Sequence, residues 1–438
     1  MLKNKKLQII LKDKDKKRLI ENFFSLSLLQ GANYILPFIT LPYLVRVLGP
    51  EKFGLIAFAR AFIQYFNILT DYGFNLSATR EISIHRDNKE KISEIFSSVM
   101  IIKFGLLVLS FIIMNVIVFS FEKFKNDWLI YYLTFGMVVG QSLFPVWFFQ
   151  GIEKMKYITF LNITAKLIFT VCIFVFVHEV SDYIYVPLLN SIGFLVAGII
   201  AMWIVLRNFE VKFAFPCLSN IKHELKEGGY IFISRASISF YTVSNVFVLG
   251  LLTNNITVGI YSAADRLINA IKGINGVVLQ VMFPYVSRLS KKSYSKALRM
   301  VSYEIKFFVI LGLIFCLVVY FFAHDIVFLL FSKRFESSEL IMQILIFTVP
   351  VVTVSAILGQ QILLNFGLKK LFTISIVYMS FIHLVMLPIM VYFWKAVGAA
   401  IAVLITEMLI LIFRLIGLFK MKRDIFWRLI KWQNYQIF

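Results

Sequence analysis

A short segment of this chain occurs twice, and each copy opens a long apolar stretch. The first copy is Gly54-Leu-Ile-Ala-Phe-Ala-Arg60, and the second is Gly259-Ile-Tyr-Ser-Ala-Ala-Asp265-Arg266. Further downstream, Lys103-Phe104 and Lys306-Phe307 follow the two copies at almost the same offset. Internal similarity of this kind is typical of transporters that are built from two related halves. We therefore predict an internal repeat.

Twelve apolar stretches surround these segments, and each is long enough to cross a membrane, which takes about 20 residues. The two copies open the second and the eighth span. Spans that are six positions apart cross the membrane in the same direction, so the repeat is a parallel one, in which both halves have the same orientation. The predicted fold is therefore an all-α integral membrane protein with 12 transmembrane helices in two six-helix lobes. The stretches run over residues 23–48, 53–73, 95–120, 128–150, 157–178, 183–206, 228–252, 256–286, 297–322, 338–364, 371–393 and 396–420.

The composition supports a membrane location. Of the 438 residues, 60% are hydrophobic and only 16% are charged, which excludes an ordinary soluble enzyme. Lys and Arg outnumber Asp and Glu by 45 to 24, and the net charge is +21. In a polar chain this charge would indicate nucleic-acid binding, but this chain is too hydrophobic for that interpretation.

The positions of the basic residues predict the orientation in the membrane. If the basic tail Met1–Arg18 is cytoplasmic, strict alternation places 30 Lys and Arg residues inside and 6 outside. Both termini are therefore predicted to be cytoplasmic. The first stretch has no small-residue cleavage site, which indicates a retained helix and not a signal peptide.

The twelve stretches and this orientation together divide the chain into five predicted parts. The C-terminal tail contains a basic, aromatic segment at 425–432, which is either a helix on the inner leaflet or a disordered tail. The predicted parts are a basic tail at 1–22, an N-lobe at 23–206 with spans one to six, a cytoplasmic linker at 207–227, a C-lobe at 228–420 with spans seven to twelve, and a basic tail at 421–438.

Motifs for catalysis or cofactor binding are missing from the sequence. It contains no Walker motif, no GxSxG, no HExxH and no glycine-rich phosphate loop. The three cysteines are far apart and have no metal-binding spacing. We predict neither an enzyme nor a bound cofactor or metal.

Nine basic residues remain in or at the edges of the spans, together with four acidic ones. Each charge at the centre of a span costs roughly 2.5 to 3.5 kcal/mol, so these side chains are expected to face water, to pair, or to reach the interface. Arg46, Lys103 and Arg414 lie within reach of an interface, and a purely structural role is open for them. We predict local pairing of Asp265 with Arg266 and Lys272, and of Glu304 with Lys306.

The excess of positive charge within the spans predicts a cationic cavity between the lobes and an anionic cargo. A phosphate or diphosphate matches both guanidinium and ammonium groups best. The acids are candidates for charge pairing or ion coupling: Asp71, Asp265, Glu304 and Glu407. The basic residues predicted to line the cavity and bind substrate are Arg60, Lys166, Arg235, Arg266, Lys272 and Lys306.

Several segments resemble one family of membrane transporters, the Wzx-type O-antigen and polysaccharide flippases. These belong to the multidrug/oligosaccharidyl-lipid/polysaccharide (MOP) exporter superfamily. The resemblance covers the whole chain. It is carried by Asn33–Pro50 (NYILPFITLPYLVRVLGP), Phe53-Gly54 with Ala57 and Phe58, Asp71-Tyr-Gly73, Thr79–Ile82, Trp147–Met155 and Gly259–Ala264.

The resemblance implies a function. It implies transport of an undecaprenyl-diphosphate-linked oligosaccharide from the cytoplasmic to the outer leaflet of a bacterial inner membrane, by alternating access. We also predict a monomer with membrane lipid around it and no nucleic-acid partner, and polymerase and chain-length machinery are candidate partners.

Three alternatives stay open from the sequence alone. A multidrug exporter of the same superfamily would be expected to have more acids than bases in its spans. A lipid II flippase would be expected to have two more spans. A membrane glycosyl polymerase would need a long outer loop, whereas the longest here, residues 323–338, has 16 residues.

Overall fold

A computed structural model describes the backbone of residues 2–430. Side chains are described for residues 21–427, except 23, 26, 34, 230, 234, 235, 237, 238, 274, 277, 280, 281 and 284. Within residues 2–430 the regular structure is entirely helical. The helices are α1 (Leu2–Asp71), α2 (Phe74–Ile84), α3 (Lys89–Ser120), α4 (Glu122–Lys125), α5 (Trp128–Leu143), α6 (Val146–Gly151), α7 (Met155–Phe176), α8 (Tyr185–Asn208), α9 (Leu218–Leu252), α10 (Asn255–Lys292), α11 (Tyr294–Phe321), α12 (Ala323–Leu330), α13 (Ser338–Ile346), α14 (Thr348–Ile357), α15 (Lys369–Met421) and α16 (Arg423–Ile430).

Among the residues that the structure describes, eight helical segments are long and apolar enough to cross a membrane, which confirms a multi-pass membrane protein. Two of them contain a break, at Gly49 in α1 and at Lys395 in α15. Both breaks fall close to where the sequence predicts a loop between two spans. The spanning segments are Ser27–Ile84, Lys89–Ser120, Trp128–Gly151, Met155–Phe176, Val180–Asn208, Tyr294–Phe321, Ser338–Leu364 and Lys369–Met421.

The predicted spans at 228–252 and 256–286 coincide with α9 and α10, and within α9 the stretch Ser239–Leu252 is a shorter apolar helix. The count of twelve spans in two lobes stays a prediction.

Two compact units form within the chain. The first contains the residues up to Thr40 and Ala59–Ser239. The second contains Leu41–Phe58 and the residues from Phe240 onward. This division is not a test of the predicted lobes, so the lobe boundaries at 206 and 228 stay a prediction.

In the first unit, α5 and α8 pack against each other through small residues. A Cβ atom added to Gly140 would lie 2.4 Å from the backbone carbon of Phe194, and one on Gly198 would lie 2.5 Å from the carbonyl oxygen of Gly140. Small residues allow this approach, as is common for helices in membranes. A cluster of buried aromatic rings, including Phe96, Trp147 and Phe148, fills the space beside α3 and α6.

In the second unit, the segment around Gly54 crosses α10 at very short range. A Cβ on Gly54 would lie 1.8 Å from the carbonyl oxygen of Asn255, and one on Gly259 would lie 1.9 Å from that of Pro50. The two glycines are the equivalent residues of the repeated segments. Their lack of a side chain allows the two backbones to meet.

The C-terminal tail contains a short helix, α16, within its described part. Ile425 is fully buried, and Asp424 accepts a hydrogen bond of 3.2 Å from the hydroxyl of Tyr294 in α11. The tail is thus helical up to Ile430 and packed at Ile425, and the final residues 431–438 lie outside the described part. The predicted linker 207–227 includes the start of α9, which begins at Leu218.

Candidate substrate-binding site

Two of the predicted cations, Arg60 and Lys166, lie in α1 and α7 of the first unit. Arg60 follows the break at Gly49 by three helical turns, and its side chain is exposed in the isolated protein. Lys166 lies in the middle of α7 and donates a hydrogen bond to the side-chain oxygen of Asn33. The charges of Arg60 and Lys166 act on each other. Because Asn33 is neutral, its hydrogen bond leaves the positive charge of Lys166 uncompensated.

The C-terminal end of the same part of α1 carries a charge of the opposite sign. Asp71, the last residue of α1, accepts a 2.6 Å hydrogen bond from the side chain of Asn75. Its negative charge acts on Lys103 of α3, whose side chain is only 4% exposed. Lys103 is therefore a buried cation on which a compensating negative charge acts.

The second unit contains a group of charges on α10. Asp265 accepts a 2.9 Å hydrogen bond from Asn269, and the positive charges of Lys272 and Arg266 act on it. The local pairing of Asp265 with Arg266 and Lys272 stays a prediction. The guanidinium of Arg266 also lies 4.9 Å from the centre of the Phe53 ring, a cation–π contact.

Glu407 of α15 also belongs to a polar network in the second unit. The hydroxyl of Tyr241 donates a 2.6 Å hydrogen bond to its carboxylate, and the charge of Glu407 acts on Lys272 and on Arg414. Residues of α9, α10 and α15 therefore interact electrostatically around one carboxylate. Such an ionisable group inside a membrane span is a candidate for ion coupling.

The neighbours of Glu407 in this network were not predicted from the sequence. His383 is fully buried and hydrogen-bonds through both ring nitrogens, with the Thr406 hydroxyl at 2.8 Å and the side-chain oxygen of Asn245 at 2.9 Å. Its ring also lies edge-on to that of Tyr241, with 4.7 Å between centroids. Tyr241 and Asn245 are four residues apart on α9, a spacing that places them on one face and that the sequence could have revealed.

The predicted pairing of Glu304 with Lys306 is wrong. Glu304 is 6% exposed, and both of its carboxylate oxygens are buried without a hydrogen-bond partner among the described residues. Lys306 instead lies 5.6 Å from the centre of the Tyr303 ring. Residues two apart on a helix point to different sides, so this spacing cannot produce a local ion pair.

Arg414, in the part of α15 after the break at Lys395, connects that part to α14 and to the earlier part of α15. Its guanidinium donates hydrogen bonds to the Ser355 carbonyl oxygen at 2.6 Å, to the Ser355 hydroxyl at 3.0 Å and to the Ser375 hydroxyl at 3.0 Å, and it stacks over Phe372. Ser355 lies just before a π-helical segment, Leu358–Leu364, in which the regular helical hydrogen bonds change. Arg414 therefore has a structural role. Arg46 likewise bonds the carbonyl oxygen of Leu329.

The remaining predicted lining residue, Arg235, has a side chain that lies outside the described residues. Of the other five, the charges of Arg60 and Lys166 act on each other in the first unit, those of Lys272 and Arg266 act on Asp265 in the second, and Lys306 lies beside Tyr303 on α11. Among the described residues, no three His, Cys, Asp or Glu side chains come together in a way that could hold a metal ion.

Known structures show the same arrangement of helices. The lipid II flippase MurJ in an inward closed conformation aligns with a TM-score of 0.69 over 94% of this chain and 89% of that chain, at 15% identity. An inward-facing multidrug resistance MATE transporter of the MOP superfamily aligns with a TM-score of 0.63 over 91% and 96% of the two chains, at 14% identity. The fold is therefore that of MOP superfamily transporters, as the sequence resemblance predicted.

The sequence comparisons define the family within this fold. Residues 19–290 match the family described as "Polysaccharide biosynthesis protein". A protein of Escherichia coli (strain K12) named "Putative O-antigen transporter" is 30% identical over 396 residues, which cover 90% of this chain and 95% of that protein. A protein of the same name from Shigella dysenteriae is 31% identical over 90% and 98% of the two chains. The chain belongs to the polysaccharide biosynthesis protein family of membrane transporters, and it is not an enzyme.

Proposed function

We propose that this protein translocates an undecaprenyl-diphosphate-linked oligosaccharide, an O-antigen or similar repeat unit, across a bacterial inner membrane. The transport runs from the cytoplasmic to the periplasmic leaflet by alternating access through a cationic central cavity. The observation that carries this proposal is the pair Arg60 and Lys166, two cations inside membrane spans whose like charges act on each other. The names of the curated relatives, both O-antigen transporters, support the same cargo class.

A diphosphate suits such a pair because it brings more than one negative charge and several acceptor oxygens. The planar guanidinium of Arg60 can donate two parallel hydrogen bonds, and the ammonium of Lys166 supplies a compact charge beside it. The hydrogen bond from Lys166 to the neutral side chain of Asn33 holds the ammonium in place without cancelling its charge. The two side chains therefore form a positioned anion site.

A protein is needed for this step because sugars and phosphates cannot enter hydrocarbon without losing their hydrogen bonds to water. In the proposed mechanism the head group passes through the cavity while the prenyl chain stays in lipid. A membrane potential that is negative inside favours outward movement of the anion by about 2.3 kcal/mol per charge for each 100 mV. The potential therefore assists export.

We assign ion coupling to the four membrane acids, of which Glu407 has the most developed surroundings. Tyr241 donates to Glu407, and the fully buried His383 lies beside Tyr241. Protonation or cation binding at Glu407 would change its attraction to Lys272 on α10 and to Arg414 further along α15. Asp71, Asp265 and Glu304 are the further candidates.

The orientation and partners also belong to this proposal. Both termini lie in the cytoplasm, twelve spans form two six-helix lobes, and the protein works as a monomer that hands its cargo to polymerase and chain-length proteins. The 30 to 6 division of basic residues supports the orientation.

The test is complementation in cells that lack the gene. Arg60→Ala, Lys166→Ala, Arg266→Ala and Lys306→Ala variants are expressed, and surface polysaccharide and membrane protein level are both measured. The proposal expects Arg60→Ala and Lys166→Ala to abolish surface polysaccharide at normal protein level, and Arg60→Lys to keep part of it. Arg299→Ala, which removes a cation from the exposed inner end of α11, is the matched control. Normal surface polysaccharide in both the Arg60 and Lys166 variants would contradict the proposal.

A further inference from the structure

A stripe of polar side chains runs along the part of α1 that follows Gly49. Arg60, Gln64, Asn67 and Asp71 are separated by four, three and four residues, so they lie on one face of the helix. The two ends of the stripe are charged, and the two positions between them are neutral amides. All four residues lie in the first unit.

The amides in this stripe retain unused hydrogen-bonding capacity. The side-chain nitrogen of Asn67 donates to the side-chain oxygen of Gln64 at 3.4 Å. Asn67 is only 5% exposed, and its own side-chain oxygen has no hydrogen-bond partner among the described residues. Leaving a buried acceptor unsatisfied is costly, and such a group in a native structure often has a function.

A second stripe occurs on α10 in the second unit, in the same register. When Gly54 is aligned with Gly259, Arg60 corresponds to Asp265, Gln64 to Asn269 and Asn67 to Lys272. Asn269 is an exposed amide that donates to Asp265. Each half of the repeat thus combines a charged residue with an amide one helical turn further along. This recurrence is independent of the contacts in the first unit.

We propose that Gln64, Asn67 and Asn269 bind hydroxyl groups of the glycan during transport and help to determine which glycans are accepted. This inference rests on the proposed function and assigns the sugar part of the cargo. Each amide offers donors and an acceptor, as sugar hydroxyls require, and it carries no charge that would compete for the diphosphate. At a rise of 1.5 Å per residue, Gln64 and Asn67 lie about 6 and 10 Å along the helix from Arg60.

The predicted orientation agrees with this assignment. The part of α1 after Gly49 runs from the outer to the cytoplasmic side, so the amides lie on the cytoplasmic side of Arg60. A diphosphate held at Arg60 and Lys166, entering from the inner leaflet, therefore has its sugars directed towards Gln64 and Asn67. In this arrangement the cations attract the diphosphate, and the hydrogen bonds of the amides discriminate between different sugars.

The experiment measures translocation in vesicles that contain the purified full-length protein. Two cargoes are compared: undecaprenyl diphosphate carrying the oligosaccharide repeat unit, and undecaprenyl diphosphate carrying one sugar. Gln64→Leu, Asn67→Leu and Asn269→Leu are each tested against wild type. Asn115→Leu, which removes an amide from α3 outside both stripes, is the control.

Each leucine variant is expected to raise the KM for the oligosaccharide lipid by about two- to tenfold, the range for one lost hydrogen bond. Transport of the one-sugar lipid is expected to change less than twofold, and the control variant is expected to behave like wild type. Equal transport of the oligosaccharide lipid by wild type and all three variants would overturn the inference. An equal loss for both lipids would also overturn it, because that loss would show a structural role.

Two features keep the outcome decisive. Asn269 is exposed, so its leucine variant leaves the packing of α10 intact even if the buried Asn67 does not tolerate the change. Wild-type protein that moves neither lipid would contradict the proposed function itself. Failure of that proposal is therefore distinct from failure of the glycan assignment.

Discussion

Gly54 lies against the backbone of Asn255 and Gly259, Gly259 lies against the backbone of Pro50, and neither glycine has room for a side chain. A Cβ on Gly54 would stand 2.6 Å from the backbone nitrogen of Gly259, and one on Gly259 would stand 3.0 Å from the Cα of Pro50. The same two glycines begin the repeated segments of the sequence. The repeat therefore contains residues that pack directly on each other in the second unit.

Replacing Gly259 with Ala should lower the stability of the protein in detergent. The added methyl group would lie 1.9 Å from the Pro50 carbonyl oxygen, so the two backbones must separate, which costs about 1 to 3 kcal/mol. The expected result is a lower melting temperature. Gly105→Ala is the matched control, because no atom lies within 4 Å of its Cβ position and alanine favours a helix. Equal melting temperatures for the two variants would argue against the close crossing.

Arg414→Ala should reduce the amount of folded protein and not transport selectivity. The buried guanidinium bonds Ser355 and Ser375, and its removal leaves these groups unsatisfied beside a cavity. We expect a loss of about 2 to 4 kcal/mol, measured as a lower melting temperature and lower membrane level. Arg46→Ala, which removes an exposed side chain with one bond, should have a much smaller effect. Normal stability with lost transport would instead place Arg414 in the transport path.

Glu224 should make stability depend on pH. Burial, assisted by the charges of Glu81, Glu227 and Glu94, raises the pKa of Glu224 to about 7, whereas Lys91 opposes this shift. The unfolded chain releases this proton at lower pH, so Glu224 lowers stability progressively as the pH rises through the interval up to about 7. Glu224→Gln should therefore raise the melting temperature at pH 8 and leave it nearly unchanged at pH 4. A variant that melts like wild type at pH 8 would contradict this prediction.

Glu407→Gln should uncouple transport from an ion gradient. The change keeps the size of the side chain and an acceptor for Tyr241 but removes the charge that acts on Lys272. In vesicles, imposed proton or sodium gradients should stimulate wild-type transport and should have no effect on the variant. Tyr241→Phe, which removes only the hydroxyl donor, should shift the pH dependence of transport. A full gradient response in Glu407→Gln would exclude Glu407 as the coupling group.

The sequence predicted those features that depend on spacing along the chain. Apolar stretches located the spanning helices, and the repeated segments marked Gly54 and Gly259 before any contact was known. The loop predicted between residues 48 and 53 is a break at Gly49, whose positive φ of 67° is a conformation that glycine adopts without strain. The surroundings of Glu407 could not be predicted, since Tyr241 and His383 lie far from it in sequence and only helix packing brings them together.

The roles of the charged residues could not be predicted for the same reason, because they depend on which side chains lie nearby in the folded protein. Arg414 and Lys166 are both lone cations within apolar spans of the sequence. The structure separates them: three hydrogen bonds and a ring occupy Arg414, whereas Lys166 has a neutral partner and a second cation nearby. Helical periodicity alone could have excluded the pairing of Glu304 with Lys306.

The central claim is that this protein moves a diphosphate-linked oligosaccharide to the outer leaflet. The most direct measurement is mass spectrometry of the lipid-linked oligosaccharides in cells from which the gene has been deleted, combined with labelling of those exposed on the outer leaflet. The account predicts that an undecaprenyl-diphosphate-linked repeat unit accumulates and stays inaccessible from outside, and that the wild-type gene reverses this. A repeat unit that reaches the outer leaflet at the normal rate, or accumulation of lipid II in its place, would contradict the account.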